Sequence, residues 1–113
     1  MPVHPNSVVH AADLPLTHEA VPAEQSIAGA PHTAARSLAQ WHGLDVGIWE
    51  MTPGTMSDVE ADEVFVVLSG SATVEFADGD PTLRIGPGDV VRLSAGARTV
   101  WTVAETLRKV YLT

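Results

Sequence analysis

The chain has 113 residues, 45% of them apolar, and sets fourteen acidic side chains against six basic ones for a formal charge of −8. A chain of this length builds one core, and its longest apolar run, Val64 to Leu68, falls far short of the ~20 residues of a membrane-spanning helix. With no cysteine there can be no disulfide, iron–sulfur cluster or thiol nucleophile, and the acidic balance repels phosphate backbones and anionic lipid, so neither nucleic acid nor membrane is expected as a partner.

The stretch Met1 to His10 has neither the basic opening nor the apolar segment of a secretory signal, which predicts a cytoplasmic protein. Residues 1–42 hold all five histidines, His4, His10, His18, His32 and His42, and show little periodicity. Pro2, Pro5, Pro15 and Pro22 discourage long helices there, so the segment reads as an extended arm lying on the domain or on a partner subunit. Within it, Thr33 to Trp41 predicts one short helix, capped by Thr33 and built on Ala34, Ala35, Leu38 and Ala39. His42 precedes the first clear strand and reads as a surface residue. It would become an acid, base or ligand only if the arm folded back.

From Leu44 onward, short apolar runs alternate with Gly, Pro, Asp and Ser every eight to twelve residues, the pattern of an all-β sandwich or barrel. The predicted strands are Val46–Met51, Glu63–Leu68, Ala72–Phe76, Thr82–Ile85, Val90–Leu93, Thr99–Val103 and Leu107–Leu112. Ala72, Val74 and Phe76 alternate with Thr73 and Glu75, as on a half-buried strand, whereas Val64 to Leu68 is apolar on both faces and should be central. Asp78-Gly79 predicts a tight hairpin, and Gly86-Pro87-Gly88-Asp89 a second rigid turn. Residues 1–113 therefore form one domain, with 1–42 as arm and first strands and 43–113 as barrel core.

Glu63 followed by Gly70, then Gly88-Asp89, Ser94-Ala95-Gly96 and Trp101, resembles the two motifs of the cupin superfamily. Those motifs run G-x5-H-x-H-x3–4-E-x6-G and G-x5-P-x-G-x2-H-x3-N. Gly47-Ile48-Trp49-Glu50, the ending Arg108-Lys109-Val110-Tyr111 and the lead-in Ile27 to Pro31 are similar to small single-domain cupins related to ureidoglycine aminohydrolase and ethanolamine-utilisation proteins. The resemblance spans roughly residues 27 to 113 and implies a single-domain jelly-roll barrel with an extended N-terminal arm. It also implies a divalent metal held by two His and one Glu of the first motif and one His of the second. Glu63 is the one ligand carried over. The histidine positions fall on Ser57 and Val59 or on Met56 and Asp58, according to the spacer, and on Thr99. No cofactor is therefore expected; were a divalent metal present, Glu63 and Asp58 would be its ligands.

On a strand, Glu63 shares a face with Phe65 and Val67 and points into an apolar barrel, where an unpaired carboxylate must find partners or become protonated. It is the candidate catalytic acid or base, or else a hydrogen-bonded structural group. Asp58, Glu60, Asp62 and Glu63 crowd four carboxylates into six residues. In one regular strand the first three would face away from Glu63, as an exposed acidic edge. Trp49, Thr99, Trp101 and Tyr111 are candidate ligand-binding residues, with Arg98, and also Arg92, placed to hold a small carboxylate near the mouth. Three functions remain open. The first is a small-molecule-binding or catalytically degenerate cupin, the second a metal-dependent enzyme acting on a small polar metabolite, and the third a structural homodimer. A homodimer is expected in any case, because small sheets leave edges to cover and the arm can cross between subunits.

Overall fold

The structure, a computed structural model, describes residues 3–113; Met1 and Pro2 lie outside them. Nine strands account for all the regular structure among the described residues, and no helix is present. They are β1 (Glu19–Ala20), β2 (Ser26–Ala28), β3 (His32–Trp41), β4 (Leu44–Met51), β5 (Gly54–Val59), β6 (Glu63–Phe76), β7 (Leu83–Ile85), β8 (Val90–Leu93) and β9 (Arg98–Leu112). Every pairing is antiparallel. Together they make one curled sheet with the jelly-roll architecture.

The sheet curls around β9, which pairs along one edge with β5 and then β4, and along the other with β6. Two runs that read as separate strands on either side of residue 70 are one strand, β6, bent at Gly70. Its φ is +86°, and a Cβ there would meet the Thr106 carbonyl, so only glycine tolerates the approach. The register of β6 against β9 slips on both sides of this bend, which switches the inward residues from Phe65 and Val67 to Ala72 and Val74. Trp101, Val103 and Leu107 of β9 complete that apolar interior with Met51, Met56, Ile85, Val91 and Leu93.

The turn at 86–89 forms as expected, and 78–79 does join two antiparallel strands, but through a six-residue connection, 77–82, rather than a tight hairpin. Gly79 and Gly88 take positive φ, and β7 pairs with β6 across that connection. Asp89 closes the turn at 86–89, its Oδ2 accepting from the Gly86 amide at 2.8 Å.

Two expectations are corrected. Thr33 to Trp41 is not a helix but most of β3, in register with β4 from Thr33 opposite Met51 to Trp41 opposite Leu44. His42 and Gly43 both have positive φ (48° and 78°) and form the two-residue primed turn that joins them. Pairing with β4 and burial of Ala34 and Leu38 outweigh the weak helix preference of an alanine-rich segment. The second correction concerns Gly54–Val59, which is strand β5 and carries Asp58 into the sheet opposite Thr99.

The arm lies on its own chain. The Val3 amide donates to the Leu38 carbonyl, and Arg108 Nη1 donates to the carbonyls of Ala11 and Leu14 at 2.9 and 2.7 Å. Arg108 also holds Glu50 through Nε at 2.9 Å, and the other Glu50 oxygen lies 2.5 Å from His18 Nε2.

Candidate functional site

The barrel interior opens into a cavity of about 270 Å³, lined chiefly by Trp49, Asp58, Glu60, Glu63, Trp101, Lys109 and Tyr111. Strand periodicity assembles it. Along β9 the inward residues are Thr99, Trp101, Val103, Leu107, Lys109 and Tyr111, and β4, β5 and β6 supply the walls.

Lys109 occupies the centre. It is the only lysine of the chain and is 5% exposed, so its charge must be compensated locally. Its Nζ donates to Glu63 Oε2 at 2.7 Å and lies 4.1 Å from the ring centroid of Phe65, 4.6 Å from that of Trp49 and 4.9 Å from that of Trp101. Indole and phenyl faces attract a desolvated cation by about 2 kcal/mol or more, so three rings and one carboxylate hold the ammonium where water cannot. The rings also pack on one another, Trp49 on Trp101 at 5.5 Å and Phe65 on Trp101 at 5.8 Å.

Beside this pair lie two further carboxylates. Met56 and Asp58 of β5 point inward, and the chain then leaves the strand through 60–62 before entering β6. That break resets the alternation, so Asp58, Glu60 and Glu63 line one cavity, whereas a single uninterrupted strand would have put Asp58 and Glu60 on the far side. Asp62 alone stays outside, capping the Ala95 amide at 2.9 Å. Glu60 Oε2 accepts from Thr99 Oγ1 at 2.6 Å and from Trp101 Nε1 at 2.9 Å. The Asp58 carboxyl is pushed above its ordinary range, first by burial and then by the charge of Glu60. At the other end, Tyr111 donates to Asp45 Oδ2 at 3.2 Å. Burial, followed by the Asp45 charge, raises its phenol to about 12. Gly47, opposite Tyr111, leaves room for that hydroxyl, which a Cβ would strike.

Of the residues singled out from sequence, Trp49, Glu63, Trp101 and Tyr111 line the cavity, and Thr99 holds Glu60 at its edge. Arg98 does not join them. It is exposed, faces the outside of β9 and borders a separate groove with Gln25, Ser57 and Glu75. Arg92 is likewise exposed, beside Ser94 and Gly96. His42 sits exposed on the β3–β4 turn, edge-on to Trp41. Lys109 was the residue sequence reasoning missed, although the alternation Leu107, Lys109, Tyr111 turns it inward with its neighbours.

A divalent metal of the kind the cupin motifs imply does not fit this donor set. The inward pair at the first-motif positions is Met56 and Asp58, and Thr99 stands at the second. The one carried-over ligand, Glu63, is engaged by an ammonium ion, which would repel a second cation at the same oxygen. Among the described residues no three His, Asp or Glu side chains converge on a point.

Comparison with known proteins agrees with this architecture. The family described as EutQ-like cupin domain matches residues 39–111. The EutQ protein of Clostridium difficile superposes with a TM-score of 0.64 at 18% identity, over 74% of this chain and 68% of that one. A protein of unknown function from Rhizobium leguminosarum gives 0.65 at 26% identity, over 72% and 79%. Another, from Pseudomonas syringae, gives 0.74 at 25% identity, over 88% of this chain but only 44% of its own length. No curated protein matches the sequence significantly. The strand order, the kinked β6 with its Glu63 and Gly70, and the match over residues 39–111 place this chain in the EutQ-like cupin domain family.

Proposed function

We propose that the protein is a small-molecule-binding cupin in which the ammonium of Lys109 takes the place that a metal ion holds in cupins with a histidine cluster. The observation that carries this reading is the buried Lys109–Glu63 pair inside a ring of three aromatic side chains, at the floor of a cavity with polar walls. At about 270 Å³ the cavity lies just below the common range of ligand pockets, roughly 300–1,000 Å³, which favours a ligand of few heavy atoms.

A thermal-shift screen of small polar metabolites tests the reading. Compounds that stabilise the wild type should lose their effect in Ala35→Trp, which narrows the exposed rim of the cavity. A screen without such compounds, or stabilisation that survives blocking the rim, would contradict it. So would one Mn²⁺ bound per chain and lost in Glu63→Gln.

One observation favours a catalytic second reading. Glu63 is tied to Lys109, whereas the Asp58 carboxyl lines the cavity, and burial favours its protonated form, which suits proton transfer. Turnover of a cavity ligand abolished by Asp58→Asn would establish it. A homodimer remains our expectation, supported by Val90, 69% exposed, and Val64 on adjoining strands, and light scattering showing a monomer would remove it. The formal charge of −8 supports partners other than nucleic acid or anionic membrane, and a cytoplasmic location stays a proposal. No helix of the described residues is long and apolar enough to cross a membrane.

A further inference from the structure

Charge in the cavity is unevenly matched. Lys109 pairs directly with Glu63 and acts on Asp58 only at longer range, and among the described residues neither Asp58 nor Glu60 forms an ion pair. Glu60 is 9% exposed, and both of its hydrogen bonds come from neutral donors to the same oxygen, Oε2. Its Oε1 accepts none from the described residues and is not sealed off, since no fully buried side-chain oxygen lacks a partner. Glu60 lines the cavity, so Oε1 is the oxygen it has left for a ligand there. Asp58 accepts only the Val59 amide, at 2.8 Å through Oδ1, and also lines that cavity. A carboxylate taken out of water without a counter-charge is costly, and the cost is relieved by any cation that enters.

Resting on the small-molecule reading above, we infer that the cavity binds a small organic cation, a primary ammonium whose nitrogen sits between Asp58 and Glu60 Oε1 and whose carbon chain packs on Trp49 and Trp101. The indole walls favour an organic cation over a bare metal ion. They offer apolar surface and negative π-faces, whereas a hard ion needs about six oxygen ligands. An anion is disfavoured, because Lys109 is already paired and three carboxylates surround it. Lys109 itself does not act as a nucleophile here, since the ammonium that pairs with Glu63 has no free electron pair.

The test titrates the full chain with n-propylammonium, propionate and 1-propanol, which share a length and differ in charge, and follows tryptophan fluorescence and heat. Propylammonium alone should saturate. Its affinity should fall about tenfold in Asp58→Asn and in Glu60→Gln, the loss expected for one charge-assisted contact, and should weaken as the pH is lowered and Asp58 takes up a proton. Asp58 is half-buried and makes one local bond, so Asp58→Asn keeps the inference testable should Glu60→Gln fail to fold. Binding of propanol or propionate with equal affinity, indifferent to Asp58→Asn, overturns the cationic ligand while leaving a small-molecule cavity intact. Failure of all three to bind folded wild-type protein also overturns it, and the broader reading then stands or falls on the metabolite screen.

Discussion

Arg108 and Lys109 are neighbours on β9 that point to opposite faces of the sheet, and each meets a glutamate of an adjoining strand, the buried Glu50 and the half-buried Glu63. On the outer face both oxygens of the glutamate are engaged. Glu50 divides its oxygens between Arg108 and His18, and Arg108 spends Nη1 on two carbonyls of the arm. On the inner face Lys109 is held by one carboxylate and three rings, and two more carboxylates line the same cavity without an ion pair of their own. The difference separates a fastening from a site. A closed network fixes the arm to the barrel, whereas an open one, bordered by a cavity, retains capacity for a further partner.

Breaking the outer network should have the largest effect. Arg108→Met strands Glu50 beneath the arm and releases the Ala11 and Leu14 carbonyls, so unfolding in denaturant should show a loss of about 3–5 kcal/mol. Limited proteolysis should then cut within the first twenty residues. An arm that stays protected would show that Arg108 does not fasten it.

The inner pair should respond differently. Lys109→Met leaves Glu63 buried beside Asp58 and Glu60, a loss of about 3–4 kcal/mol, but Lys109→Met combined with Glu63→Gln should recover much of it, because methionine and a neutral amide suit the aromatic ring set. No recovery in the double variant would mean that the ammonium is held by its rings alone. Trp101→Phe should cost less, about 1–3 kcal/mol, by removing the indole donor from Glu60 while keeping most of the packing.

The smallest effect belongs to Asp58. Its carboxyl titrates above the ordinary value in the folded chain, so the protonated form is the one folding favours. The associated stability is complete below the unfolded aspartate pKa and is lost as pH rises through the raised folded value. Asp58→Asn should abolish that decline and leave the protein slightly more stable at neutral pH, by about 0.5 kcal/mol for a partly solvated group. Chemical denaturation at several pH values reads this directly, and a variant less stable than the wild type at neutral pH would contradict the assignment.

Much of the fold was legible because turn chemistry and strand alternation are local. Asp78-Gly79, Gly86 to Asp89 and the pattern of Ala72 to Phe76 depend on few neighbours. Thr33 to Trp41 was misread because an alanine-rich segment states no strong preference, and its strand exists only through pairing with β4. The cavity was half legible. Glu63, Trp49, Trp101 and Tyr111 follow from alternation and motif spacing, whereas the meeting of Asp58 and Glu60 with Glu63 depends on a chain break at 60–62 that resets the faces. Lys109 was hidden for a different reason. A lysine on an alternating strand reads as solvated, and only the Glu63 carboxylate together with three aromatic side chains brought from β4, β6 and β9 itself makes its burial tolerable.

Since Lys109 is the only lysine, the nitrogen-15 NMR spectrum of the side-chain ammonium isolates the centre of the site in a single resonance. A caged ammonium paired with Glu63 should give a signal displaced by the ring currents of Phe65, Trp49 and Trp101, with slow proton exchange, and both features should change in Glu63→Gln. A resonance at the position and exchange rate of free lysine, unaffected by that substitution, would place the ammonium in water and remove the basis for a cupin whose central cation is its own side chain.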